Sequence, residues 1–138
     1  MRRLKLALLA VRMGSWALVL PILKRVVSLQ RLADVMRNDG HGVRNRAYER
    51  HVVALSSLLR GNCLERSLLA YRFLARANAQ PRLVVGVRSG ENGLLGHAWV
   101  TVDGKPIHES PVAVSEFSEI VEFAPGNRPE PRLPDVWV

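Results

Sequence analysis

The stretch "GNCLERSLLAYRFL", residues 61–74, decides the fold, because it marks where a helical first half gives way to strands. Asn62 is a favoured helix cap, and Glu65 three residues later completes an Asn-x-x-Glu form of the capping box. Leu64, Leu68, Tyr71 and Ala75 then recur at three- and four-residue steps, giving the helix a face to bury, while Arg66, Arg72 and Arg76 can reach water. Cys63, the only cysteine in the chain, is the first helical residue. It reads either as a small packed hydrophobe or as a nucleophile. For the nucleophile, the free N–H groups and positive dipole end of a first helical turn stabilise negative charge on sulfur. The backbone N–H groups of Cys63 and Leu64 would equally suit the oxyanion formed when a carbonyl is attacked.

Upstream, apolar positions are dense enough over residues 3–20 for a helix buried on most sides. Pro21 predicts a break, and "ILKRVVSLQRLADVMRN" (22–38) a second helix. "NDGHG" (38–42) is a turn signal. A third helix is expected in "VRNRAYERHVVALSSLLR" (43–60), where Ala47, His51, Ala54, Leu55 and Leu58 keep helical spacing, with Gly61 as a left-handed stop. Downstream, "PRLVVGVRS" (81–89) is a compact β-branched strand, "GENGLLG" (90–96) a loop, and "HAWVTV" (97–102) an alternating strand. "DG" then reverses the chain into "KPIHES" (105–110). A further strand is expected within "EFSEIVEF" (116–123), and the tail "APGNRPEPRLPDVWV" is too rich in proline for regular structure. Helices followed by a small antiparallel sheet make an α+β fold. One domain of 138 residues is expected, in which residues 1–60 are helical, residues 61–124 form a helix plus a sheet, and residues 125–138 are a proline-rich tail.

The net charge is +8, and the first 60 residues hold most of the cations but only three acids, Asp34, Asp39 and Glu49. That favours an acidic partner: nucleic acid, anionic lipid or an acidic protein surface. No nucleic-acid motif is legible and few aromatics are interleaved with the basic residues, so nucleic acid is not expected as a partner. One cysteine can form neither an internal disulfide nor a multi-thiolate zinc site, and His41, His51, His97 and His108 lack paired ligand spacing. No metal and no cofactor is expected. Cysteine usage fits a reducing cytoplasm. The amino terminus imitates a signal peptide, but Arg12 and Pro21 interrupt the apolar run and no small-residue cleavage site follows. Its plain reading is a pair of core helices with basic edges; the alternative is contact of these helices with a membrane surface.

A cysteine acting on an amide needs a histidine to hold the ion pair and protonate the leaving amine, and that histidine needs a third group to orient it. His97 opens a strand after a loop bracketed by glycines, whereas His41 sits in a turn and His51 on a helix among leucines. The third group depends on the turn. A two-residue Asp103-Gly104 turn pairs Val102 with Lys105 and sends Glu109 to the far face; a three-residue loop with Gly104 as a bulge pairs Thr101 with Lys105 and sets His97 opposite Glu109. The bulge is the expectation, with Glu109 preferred and Asp103 the rival carboxylate. Trp99, on the same face as His97, either covers the imidazole and offers a substrate-binding surface or is plain core.

Together, "CLERSLLAYRFL", "RLVVGVRS" and "GHAWVTVDGKPIHES" resemble the leader peptidases of lasso-peptide biosynthesis, transglutaminase-like, papain-related cysteine proteases of the microcin-processing type. The resemblance covers residues 61 to about 123. It implies a papain-like core in which the Cys-bearing helix packs on a small antiparallel sheet, and a catalytic set of Cys63, His97 and Glu109. It also implies removal of the leader from a ribosomally made precursor peptide, with a small leader-recognition protein and an asparagine-synthetase-like cyclase as partners. A transglutaminase-like acyltransferase and a non-catalytic basic binding module are the alternatives.

Overall fold

The computed structural model describes residues 2–37, 42–58, 62–124 and 130–131. Its elements are α1 (Arg2–Val26), α2 (Leu29–Met36), α3 (Arg46–Leu58), α4 (Cys63–Arg76), β1 (Arg82–Gly90), β2 (Gly93–Val102), β3 (Lys105–Pro106), α5 (Pro111–Ser115), β4 (Ser118–Phe123) and β5 (Glu130–Pro131). The strands form one antiparallel sheet in the order β3-β2-β1-β4-β5. The α+β expectation stands, with the sheet to one side of α4 and the helices α1, α2 and α3 packed around its other sides. Consequently Glu65, Ser67–Tyr71 and Phe73–Ala75 of α4 are all buried. Of these, Leu68–Tyr71, Phe73 and Leu74 make the hydrophobic core with Met13, Leu20, Leu32, Met36, Val52, Leu83 and Val100.

Pro21 does not break the first helix, which runs unbroken to Val26. A proline removes one donor, and its fixed φ suits the helix, so the cost is local and the surrounding packing of Leu20 and Leu23 bears it. The break falls at Ser28, whose extended backbone and side chain accepting from the Arg31 N–H cap α2. The predicted loop 90–96 is mostly ladder: β1 and β2 stay paired out to Gly90 and Gly93, around a tight turn at Glu91 and Asn92. The tail contributes a short edge strand, with Pro131 opposite Val121, a position where a missing N–H is tolerated. A five-residue helix, α5, follows Ser110, which caps it by accepting from the Ala113 N–H, with Pro111 in the first turn. The turn expected at 38–42 and the stop at Gly61 lie, apart from Gly42, outside the described residues.

The capping box at α4 is fully formed: Asn62 Oδ1 accepts from the Glu65 N–H at 2.9 Å, and Glu65 Oε2 accepts from the Asn62 N–H at 3.1 Å. Lys24 of α1 pairs with the other Glu65 oxygen at 2.9 Å. Asn62→Ala should cost about 0.5–2 kcal/mol of unfolding free energy in urea denaturation, with Asn62→Asp recovering most of it.

Candidate active site

β2 delivers His97 at the point where its residues pass from exposed to buried. The Nε2–H of His97 is directed at both oxygens of Glu109, at 2.5 and 2.7 Å. The route to this contact is not the predicted one. Val102 pairs with Lys105 and Thr101 with Pro106, so Asp103 and Gly104, with φ of 54° and 77°, make a two-residue hairpin turn with no bulge. Extrapolated strand pairing would then face Glu109 away from His97. The pairing, however, extends no further than one bond from the Ile107 N–H to the Val100 carbonyl at 3.1 Å, and the chain bends through residues 107–109 before Ser110 caps α5. Face alternation does not reach Glu109, and the bend turns its side chain back. Asp103, the rival carboxylate, is 61 % exposed and held by Arg44 at 3.0 Å. Arg44 also grips Glu49 at 2.7 Å, and these two carboxylates raise its already high pKa further.

The imidazole is held by rings as well as by the carboxylate. Phe117 stacks on His97 with centroids 4.9 Å apart, and Trp99 lies 5.8 Å away. Trp99 is 4 % exposed, so it packs against the imidazole and Phe117 and offers a substrate almost no surface; the substrate-binding reading of Trp99 is corrected on that ground. Opposite His97 on β1 stands Gly86. A Cβ there would lie 2.9 Å from the Trp99 ring edge, 2.9 Å from the Ser118 carbonyl oxygen and 3.1 Å from the Phe117 Cβ. Only glycine leaves room for the aromatic wall.

Cys63 is partly buried at the first position of α4. Ser67, four residues on and thus on the same helix face, donates from Oγ to the Ala98 carbonyl at 3.0 Å, fastening α4 to the strand residue next to His97. Arg66, three residues from Cys63, places Nη2 3.6 Å from Glu109 Oε1. The structure thus joins His97 to Glu109 and sets Cys63 one helical turn from the two α4 residues that meet that pair and its strand. Of the first-turn N–H groups, that of Glu65 is taken by the cap and that of Arg66 bonds to the Asn62 carbonyl. Those of Cys63 and Leu64 precede the helix's own ladder.

Sequence reasoning missed Phe117, Gly86, Arg66 and His108. Arg66 had a legible signal, its i+3 spacing from Cys63. His108 Nε2 lies 2.8 Å from Ser56 Oγ, whose hydroxyl donates to the Val53 carbonyl, so the residue beside Glu109 is tied to α3. Burial lowers the His108 pKa from 6.5; the Val53 carbonyl opposes this, Arg66 adds to it and Glu109 opposes it. His51 is exposed on α3, and His41 lies outside the described residues. Among the described residues no group of three or more His, Cys, Asp or Glu side chains is arranged to hold a metal ion. Two open cavities, of 540 and 510 Å³, lie elsewhere, one between the starts of α1 and α3 and one around Arg44 and the Asp103-Gly104 turn.

The sequence pattern of the Transglutaminase-like superfamily matches residues 6–122, from the first turns of α1 into β4. The chain belongs to this superfamily. It is also similar to the Microcin J25-processing protein McjB of Escherichia coli, 28 % identical over 86 residues, which cover 62 % of this chain. The chain spans 40 % of the length of that curated relative. No solved structure matches it. The resemblance read from the cysteine helix and the histidine strand agrees with both comparisons.

Two outcomes test the site's construction. Gly86→Ala should destabilise the fold by about 1–3 kcal/mol, as overpacking of a filled core does, and alter the near-ultraviolet circular dichroism of Trp99. For His108, the unfolded imidazole takes up a proton near 6.5 and the native one only at lower pH. Its contribution to stability is therefore present above 6.5 and lost as pH falls below it. The melting temperature should drop on acidification from neutral pH, and His108→Gln should flatten that region of the profile.

Proposed function

We propose that this protein is a thiol endopeptidase that removes the leader from a ribosomally made precursor peptide of the lasso type. The observation that carries the reading is the His97–Glu109 pair, formed beside the capped helix that begins with Cys63. The Transglutaminase-like match and the similarity to a microcin-processing protein support it.

In this mechanism Nε2 of His97 is occupied by Glu109, so Nδ1 is the ring atom left to serve the thiol. Nδ1 takes the Cys63 proton as sulfur attacks the scissile carbonyl, and the carbonyl π electrons move onto oxygen. The N–H groups of Cys63 and Leu64 receive that oxyanion. When it collapses, the C–N bond breaks and His97 delivers its proton to the leaving amine. Water, deprotonated by His97, then attacks the thioester and releases a carboxylate and the thiol. Glu109 orients the imidazole and balances its positive charge. A leader-recognition protein, a cyclase and a cytoplasmic setting belong to the same proposal.

The superfamily also favours a second reading, in which an amine replaces water and an amide forms. Product mass separates the two. Mass spectrometry of a candidate precursor incubated with the protein should show two fragments whose masses sum to the precursor plus one water. Cys63→Ala should abolish cleavage while leaving precursor binding intact. Glu109→Ala should slow turnover by about 100-fold or more, and Asp103→Ala should leave it near wild type. Full cleavage by Cys63→Ala, or an equal loss from both carboxylate variants, would overturn the assignment.

A further inference from the structure

α1 has two apolar faces, and the core uses one. Leu9, Met13 and Leu20 are buried, with Trp16, Ala17 and Leu23 packed against the core beside them. On the other side Leu4, Leu8, Val11, Leu18 and Ile22 are 66, 53, 66, 78 and 67 % exposed. With Ser15 they alternate four and three residues apart, which draws a straight stripe along the helix, and Val19 and Val26 widen it. A contiguous apolar surface of this length marks an interaction site.

Charge decides what meets it. Arg2, Arg3 and Lys5 stand at one end of α1, Arg12 at its flank and Arg25 at the other end, all exposed, while Lys24 is engaged by Glu65. No Asp or Glu occurs before Asp34. A second copy pairing through the stripe would bring no acid to these cations, since neither helix carries one. By length and composition α1 could cross a membrane, but its inner face is built into the core, so only the outer face is free. An anionic bilayer surface satisfies both remaining features: the stripe enters the boundary between headgroups and acyl chains, and the cations meet lipid phosphates.

We propose that α1 docks the protein on an anionic lipid surface through Leu4, Leu8, Val11, Leu18 and Ile22, with its flanking Arg and Lys residues on the headgroups. The proposal does not depend on the peptidase reading. Its test is flotation of the full chain with phosphatidylcholine vesicles, with and without phosphatidylglycerol. Binding to the anionic vesicles is expected, at least about tenfold tighter than to neutral ones and weakened by salt. The double variant L18E/I22E, altered at solvent-facing positions, should keep its helical circular dichroism and lose vesicle binding; K5Q/R12Q should lose the preference for anionic vesicles. Absence of binding, equal binding to both vesicle types, or unchanged binding by L18E/I22E would overturn the proposal. So would a wild-type dimer in sedimentation that L18E/I22E dissociates, since the stripe would then belong to a second copy.

Discussion

The first turn of α4 is the constraint on which the rest depends. Eight buried residues of α4 pack behind it, and Glu65 within the turn is buried as well, so its carboxylate must find partners inside the protein. Asn62 and Glu65 satisfy each other's backbone, but a largely buried carboxylate still carries a charge. Lys24 of α1 supplies the countercharge. Arg72, further along α4, stacks over Trp16 of α1 and donates to the Val35 carbonyl at the end of α2, so the two amino-terminal helices also grip its second half. In this fold α1 and α2, together with α3 and β2, hold the helix that begins at Cys63.

The same logic holds Glu109, which lies in no regular element. On one side Arg44 ties the Asp103-Gly104 turn to the start of α3. On the other, Ser110 caps α5. Between them His108 anchors to Ser56, a fully buried serine of α3. A segment of irregular backbone pinned at three places is as restricted as a strand, and Arg66 adds an electrostatic pull from α4. Asp103 is engaged away from His97, because the bond that fixes the turn takes its carboxylate to Arg44.

The legible features of the sequence are those governed by local rules. The capping box at Asn62 and Glu65, the β-branched run of β1 and the alternation of β2 each depend on neighbours a few residues away. The contact between His97 and Glu109 is also legible, but through a bulge the protein does not contain. Strand arithmetic assumes that alternation persists to residue 109, and β3 has only two paired residues. Pro21 misleads in a similar way, because a proline's local cost is set against the tertiary burial of the residues around it. α1 blurs its own periodicity by being apolar on opposite faces. Phe117 gives no local signal, since its place against His97 depends on β4 pairing with β1 next to a register shift at Val85 and Gly86.

That register shift bears on the imidazole itself. Gly86, Trp99 and Phe117 build a wall against the ring, while the two Glu109 oxygens hold Nε2 from its edge. Rotating the imidazole to present Nε2 elsewhere would break the hydrogen bond that its one N–H shares between the two Glu109 oxygens and lose the stacking on Phe117. The ring therefore keeps Nδ1 outside the contact with Glu109 and is held in one orientation. Flexibility at this position would let the histidine bond to Glu109 or to another group in turn; the wall and the carboxylate together remove that choice. The absent side chain at Gly86 thus acts on the orientation of His97 through the two rings it admits, and the lack of a Cβ on β1 is as much a feature of the site as the carboxylate opposite.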